Sequence, residues 1–358
     1  MLFNIFNNKV IESNFDSIFS NEFYNKIEQV RDEFKFPSLQ VSIILNDSHF
    51  SCSTGFSNIE KKKKANINSV YYLGSVSKVF VKGILLKLLQ DNKISLDDSI
   101  SKYINLSPHG KDVTLKHLLH HKSGLYDPLG AEVNRSKIFD LGKRWTIDEI
   151  LSEVRNNESY FEAGTNYRYT NIDYILLGKV AEVVSKMEFS RLLREYYLSP
   201  LKLDKIYYSV VEKLPKSLAL GYDAYDYKPR NGDEMVNIQQ CPIFLPTTCF
   251  MSGALVGNSL NVCEFFHELF EGIILSDKSK RTARLFFGTK QFGEIIFREQ
   301  TGYIPGYKSF CGYSSSHKLS VTFLANYTDG HLIYDAVEQI LDFFVNFETI
   351  RPLIRNNR

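Results

Sequence analysis

A serine and a lysine three residues apart, Ser75 and Lys78, are the pair in this chain best placed to do chemistry. They lie in Tyr71-Tyr72-Leu73-Gly74-Ser75-Val76-Ser77-Lys78, and an apolar run follows at once: Val79, Phe80, Ile84, Leu85, Leu88 and Leu89. That three-and-four spacing predicts an amphipathic helix. If the helix begins near Ser75, the two side chains share one face, one turn apart. An amine so placed can take the proton of a hydroxyl as it attacks a carbonyl. The apolar flanks help, because a desolvated lysine is easier to keep neutral. Gly74 leaves room for another stretch of backbone to approach the serine.

Spacing alone does not single this pair out. Ser99/Lys102, Ser199/Lys202 and Ser315/Lys318 repeat it, and a capping serine beside a solvated lysine is the ordinary reading of each. Ser75 differs by context: two aromatics, a glycine, then a long stretch without proline. Tyr-x-Asn likewise occurs both at Tyr103-Ile104-Asn105 and at Tyr169-Thr170-Asn171.

Composition narrows the function classes. The 358 residues are 44% hydrophobic and 23% charged, enough for one large or two modest domains. A formal net charge of +2 gives no basic footprint for a nucleic-acid partner. The run Lys61-Lys62-Lys63-Lys64 falls between two strand-like segments and reads as a solvated hairpin tip. The five cysteines, Cys52, Cys241, Cys249, Cys263 and Cys311, are odd in number with no C-x-x-C, so reduced and mostly buried thiols are expected. Residues 1–9 lack the basic start and apolar core of a signal peptide. No run approaches the roughly 20 apolar residues of a membrane span. A cytoplasmic protein with no membrane span is the expectation. His117, His120 and His121 have no H-x-x-x-H pair with a third ligand nearby, which points to packing and capping rather than metal.

The elements follow from periodicity and breakers. Residues 20–35 read as a helix with Phe23, Ile27, Val30 and Phe34 on one side. Leu39, Val41, Ile43 and Leu45 make a strand, 49–53 pairs back on it, and 55–65 is a polar connection. The Ser75 helix runs to about Asp91-Asn92. A short helix capped by Thr114 stops at Gly124. Helices over 145–155, 172–185 and 190–197 come next. Residues 210–246 are irregular, a long surface excursion over a site. A helical region covers 252–270, and strands cover 293–301, 308–313 and 318–326. A closing helix carries Leu332, Ala336, Ile340, Leu341 and Phe344. The order predicts an α+β fold. An antiparallel sheet would be built from both termini (1–105 and 250–358), with a mostly helical inserted domain (106–249) and a cleft between them.

In that order the landmarks resemble the serine β-lactamase-related hydrolases, the group of class C β-lactamases, DD-peptidases and related esterases. The resemblance covers about residues 20 to 345. It is carried by Gly55-Phe56-Ser57-Asn58-Ile59-Glu60, by Leu73 to Lys78, and by Thr114 to Leu125, which is similar to the family's T-x-x-H-L-L-x-H-x-S-G-L. Ala163-Gly164-Thr165 with Tyr167-Arg168-Tyr169-Thr170-Asn171, and Gln300-Thr301-Gly302 with Pro305-Gly306-Tyr307, complete it. The resemblance implies a β-lactamase/transpeptidase-like fold with Ser75 as the acylated nucleophile and Lys78 as its base. Tyr169 would be the proton shuttle, preferred to Tyr103 because it follows Ala163-Gly164-Thr165. Asn171 would hold the lysine and a substrate amide. The oxyanion hole would use the backbone N–H groups of Ser75 and Tyr303, with Gln300, Thr301, Gly302 and Tyr303 lining the substrate.

One residue departs from the pattern. The family's third motif usually opens with Lys or His, and this chain has Gln300, which can hydrogen-bond but brings no charge. A neutral substrate is therefore expected over the carboxylates of β-lactams and peptide C-termini. Arg298, two residues earlier on the same face, is the candidate to substitute for that charge, with a solvated or salt-bridged arginine as the favoured reading. The resemblance thus implies a serine hydrolase acting through an acyl-enzyme on an ester or amide, with a small-molecule or peptide substrate and no cofactor. A D-alanyl-D-alanine carboxypeptidase or β-lactamase-type peptidase is the enzymatic alternative. A catalytically inactive binding module on the same scaffold is the alternative from another class.

Overall fold

The computed structural model describes residues 11–130, 144–223, 239–240, 246–328 and 333–355. The readings made on residues 1–9, Cys241 and Leu332, and on most of the irregular stretch before Pro246, lie outside the described residues.

The chain opens with strand β1 (Ile11–Ser13) and helix α1 (Ser17–Glu33). Asp16 starts that helix by accepting a hydrogen bond from the Phe19 N–H at 2.8 Å. Phe19, Phe23, Ile27 and Val30 form its buried stripe, and Phe34, expected on that stripe, ends the helix as its C-cap. Strands β2 (Ser38–Leu45) and β3 (Ser48–Asn58) form a hairpin about Asn46, whose φ is 53°. Residues 55–65 are not the polar connection expected. β3 runs on to Asn58 and turns back into β4 (Lys63–Lys64). Gly55 permits this: its φ of +81° presses it against the Pro37 carbonyl, to which Phe56 donates at 2.6 Å. All four lysines of the 61–64 run are exposed.

Next come β5 (Tyr71–Tyr72), α2 (Ser77–Gln90), α3 (Leu115–Leu119), α4 (Ile147–Asn156), α5 (Ile172–Ser185) and α6 (Phe189–Leu193). Short strands β6 (Ile206–Tyr208), β7 (Tyr222–Asp223), β8 (Gln239–Gln240) and β9 (Leu255–Gly257) lead to α7 (Ser259–Glu271) and α8 (Asp277–Ala283). The chain ends with β10 (Gly288–Phe292), β11 (Ile295–Ile304), β12 (Tyr307–Ser314), β13 (Leu319–Ala325), β14 (Tyr327–Thr328), α9 (Ile333–Asn346) and α10 (Arg351–Arg355). The single helix expected over 252–270 is split, because Leu255–Gly257 pairs with β5 and β6 before Asn258 caps α7. β10 was hidden by its polar, exposed Thr289-Lys290-Gln291, and it pairs across Gly293, whose φ is +53°.

The main sheet joins the two ends of the chain. Its order is β1-β3-β2-β13-β12-β11-β10, antiparallel throughout, with β4 added on β3. Both faces are covered. On one, Phe19 and Phe23 of α1 meet Phe50 of β3 and Phe344 of α9. On the other lie α2 and α7, with α5 packed on α2. The polar residues of β2 on this second face are buried and satisfied: Gln40 Oε1 accepts from the Ser259 N–H at 2.6 Å, and Ser42 Oγ lies 2.7 Å from Ser259 Oγ. That pins the start of α7 to the sheet. α2 is not amphipathic as expected. Val81, Gly83 and Leu86 are buried as well as the predicted stripe, because helices surround it. Gly83 sits where a Cβ would come within 2.7 Å of the Phe265 ring. Among the described residues, no helix is long and apolar enough to cross a membrane.

Candidate active site

The turn that carries Ser75 is held from three sides. β5 pairs with β9, and the Leu73 N–H donates to the Leu255 carbonyl at 2.9 Å. The chain then swings through Gly74, φ +51°, into a 3₁₀ turn at Gly74–Val76 before α2 begins at Ser77. Ser77 Oγ accepts from the Leu255 N–H at 3.0 Å and locks the helix start to β9. β11 closes the third side. A Cβ on Gly302 would lie 2.0 Å from the Leu73 carbonyl oxygen, and one on Gly74 would lie 2.7 Å from the Tyr303 nitrogen. Only glycines allow this approach, which sets the backbones of residues 74–75 and 303 side by side. The Ser309 hydroxyl on β12 donates to the Leu73 carbonyl at 2.6 Å and secures the contact.

Lys78 follows in the first turn of α2 and is 1% exposed. Its Nζ donates to Ser75 Oγ at 3.1 Å, to Asn171 Oδ1 at 2.9 Å and to the Ser252 carbonyl at 3.0 Å. Tyr169, 46% exposed, donates its Oη hydrogen to Ser75 Oγ at 2.6 Å. Ser75, Lys78, Tyr169 and Asn171, far apart in sequence, thus meet around one hydroxyl. The Ser252 carbonyl was not foreseen, since a backbone acceptor has no residue-type signal.

The Tyr169–Asn171 segment is positioned by the Thr114–Leu125 motif. His117 closes a capping box with Thr114. The His121 carbonyl accepts from the Arg168 N–H at 3.0 Å, its Nδ1 accepts from the Thr170 N–H at 3.3 Å, and its ring lies 4.4 Å from that of Tyr169. Capping and packing are the roles expected of these histidines. Asp127, 3% exposed, accepts from the Asn171 N–H at 2.7 Å and was missed in the sequence. Asp173 accepts from the Ser123 hydroxyl at 2.5 Å. His121 Nδ1 stands 3.6 Å from Asp173 Oδ2, yet the two are not an ion pair. Burial, then the nearby Lys78 charge, pushes His121 down to about 3, and burial pushes Asp173 up to about 7. Both shifts favour the neutral forms.

The strand motif divides between the faces of β11. Gly302 meets the serine turn, and Gln300 points toward α2, where its Oε1 accepts from Lys82 Nζ at 3.2 Å. Thr301 alternates to the face that packs on α9, and its hydroxyl meets Tyr334 there. Tyr303 is exposed. Arg298 donates to the Phe287 carbonyl at 3.3 Å. The look-alikes at Ser99/Lys102 and Tyr103 have local structural partners. Ser99 caps a 3₁₀ turn, Lys102 pairs with Asp98 at 3.0 Å, and Tyr103 Oη donates to Asp98 at 2.5 Å.

The same arrangement of sheet and helices occurs in solved structures. A D-amino acid amidase from Ochrobactrum anthropi SV3 superposes with a TM-score of 0.78 over 94% of this chain and 100% of its own, at 20% identity. The octameric penicillin-binding protein homologue from Pyrococcus abyssi gives 0.76 over 91% of this chain and 77% of its own, at 23% identity. Among curated proteins, Protein flp of Staphylococcus aureus (strain MW2) is 23% identical over 222 residues, 60% of this chain and 44% of that protein. The teichoic acid D-alanine hydrolase of Staphylococcus aureus is 29% identical over 172 residues, 47% of this chain and 40% of that protein. The chain spans less than half the length of these curated relatives. The sequence profile of the family described as Beta-lactamase matches residues 23–339, which takes in the serine turn, the tyrosine loop and β11. With nearly its whole length matched, this chain belongs to the beta-lactamase family.

Proposed function

We propose that the protein is a serine hydrolase that forms an acyl-enzyme at Ser75 on an ester or amide substrate. The placement of Ser75 Oγ between Lys78 Nζ at 3.1 Å and Tyr169 Oη at 2.6 Å carries this reading. Asn171 Oδ1 and the Ser252 carbonyl can only accept hydrogen bonds. Lys78 Nζ also donates to Ser75 Oγ, so in the reactive form proposed it gives up that proton, keeps its N–H groups on the two acceptors and turns the freed lone pair to the serine hydroxyl. Ser75 Oγ attacks the carbonyl carbon while its proton passes to Lys78. The N–H groups of Ser75 and Tyr303 take the developing oxyanion, each such donor being worth roughly 3–4 kcal/mol. Tyr169 passes a proton to the leaving amine or alcohol, and water then releases the acyl group by the reverse path. An amine or alcohol in place of water would make the same intermediate serve acyl transfer.

The site falls between the two parts of the chain read as domains, with Ser75, Lys78 and Gln300 from 1–105 and 250–358, and Tyr169 and Asn171 from 106–249. Cys52, Cys249, Cys263 and Cys311 are buried free thiols, which supports a reducing, cytoplasmic setting. The amidase and the teichoic acid hydrolase it resembles are named for D-amino-acid chemistry, so a D-aminoacyl ester or amide without a free carboxylate is the substrate class. The test is turnover of D-alanine p-nitroanilide and p-nitrophenyl esters, with the L-series and a chromogenic cephalosporin alongside. Wild type should hydrolyse the D-series, which carries no carboxylate, best, and Ser75→Ala should lose at least about 10³-fold in kcat. Equal turnover by Ser75→Ala would overturn the assignment.

A further inference from the structure

The uncharged amide that opens the strand motif has a lysine behind it. Lys82 stands one turn after Lys78 on α2, is 4% exposed, and donates to Gln300 Oε1 at 3.2 Å. Its Nζ lies 4.1 Å from the Phe287 ring centroid and 5.6 Å from that of Tyr174. Lys78 Nζ is also 5.6 Å from the Tyr174 ring, so the two amines share one ring beside the site. Lysine is almost never buried without a partner, and this one's bonded partner is a residue of the substrate strand. We propose that Lys82 is a specificity-determining residue that acts through Gln300, supplying the positive charge position 300 lacks and admitting anionic substrates only while it is protonated.

This inference rests on the hydrolase reading. With Oε1 held by Lys82, the Gln300 amide turns its NH₂ away, where it donates to the Thr301 carbonyl at 3.0 Å and can meet a substrate anion. A cation on the amide oxygen polarises the group and strengthens its N–H donors. The surroundings make that charge conditional. Burial pushes Lys82 down to about 7. Cys311 on β12 and Glu299 on β11 oppose the shift, and Lys78 on the same helix reinforces it. Burial raises both the Cys311 thiol and the Glu299 carboxyl, and Glu299 Oε2 has no hydrogen-bond partner among the described residues. His120 and His121, at the end of α3, are both pushed down by burial, with Lys82 among the charges opposing their protonation. Lys82 is therefore charged below about pH 7 and neutral above it. Preference for an anionic over a neutral substrate should fall as the pH rises through 7.

The experiment compares kcat/KM between pH 5.5 and 9 for a neutral ester and its carboxylate-bearing counterpart. In wild type the anionic-to-neutral ratio should fall about tenfold across the range. Lys82→Met, and Gln300→Leu at the half-buried partner should the lysine variant fold poorly, should give a flat ratio at the wild-type alkaline value. Lys82→Met/Gln300→Lys should recover the high ratio without the step near 7, and Arg298→Ala should keep the wild-type profile. A second readout needs no turnover. In protein labelled with ¹³C at lysine Cε, one signal should titrate near 7 and vanish in Lys82→Met. N-benzoylglycinate should raise its midpoint by about one unit, the reciprocal of a tenfold coupling, and N-benzoylglycinamide should not. A flat wild-type ratio, a step that survives in Lys82→Met, or a midpoint indifferent to the carboxylate would each overturn the proposal. Failure of a serine probe to label Ser75 would instead sink the hydrolase reading, and the titration would still decide the role of Lys82.

Discussion

In the proposed mechanism Ser75, Lys78 and Tyr169, joined by hydrogen bonds at one hydroxyl, act as a unit, so their losses should not add. Lys78→Ala and Tyr169→Phe should each lower kcat by about 10²–10⁴, the usual reach of a positioned acid or base. The double variant should be little worse than the poorer single one. Steady-state kinetics on the best neutral ester, with circular dichroism to show the fold intact, measures this. Full activity in Tyr169→Phe with loss in Tyr103→Phe would mean that the wrong tyrosine was chosen. At this scale the sequence was readable where side-chain type carries the chemistry: a nucleophile, an amine, a phenol and an amide in known order. It was silent on the Ser252 carbonyl, which every residue type offers. It also hid Lys82, which looks like an interruption of an apolar helix until β11 lies against it.

Elements rather than side chains set the oxyanion site proposed for the Ser75 and Tyr303 N–H groups. β11 reaches the serine turn because neither Gly302 nor Gly74 has a Cβ. Gly302→Ala would drive a methyl to 2.0 Å from the Leu73 carbonyl oxygen, so strand and turn must part. We expect kcat to fall by about 10² or more, the cost of misplacing one oxyanion donor, with secondary structure retained. An alanine variant as active as wild type would show that the close approach is not needed. The tyrosine loop is held by buried groups that titrate. Asp173, raised to about 7 by burial, keeps in the folded state a proton that the unfolded chain releases near 4. Its contribution to stability is therefore fully present below about pH 4 and is lost as the pH rises through about 7. Asp173→Asn keeps an acceptor for Ser123 without the ionisation. Urea titrations at pH 4 and 8 should show wild type losing on the order of 4 kcal/mol more than the variant between the two. Equal losses would remove Asp173 from the account. These elements were half legible: the glycines and Thr114–Leu125 stood out, but the two- and three-residue strands β5, β6 and β9 are too short for a periodic signal.

Across the whole molecule, sheet strands from both ends of the chain enclose a mostly helical middle, and the order of elements already said so. The apolar stripes of α1 and α9 were legible because each buries one face, and β2 and β13 were legible because polar residues such as Gln40, Ser42, Ser320 and Thr322, buried on the second face, keep the alternation visible. The burial of α2 on all sides was not, because residue type alone cannot tell a core helix from a surface one when lysines interrupt it. The central claim is that this fold presents one reactive serine. A fluorophosphonate probe followed by peptide mass mapping tests it most directly. The account predicts a single adduct on the peptide containing Ser75, absent in Ser75→Ala and slowed in Lys78→Ala. An adduct at Ser99, Ser199 or Ser315, or labelling that persists in Ser75→Ala, would contradict it.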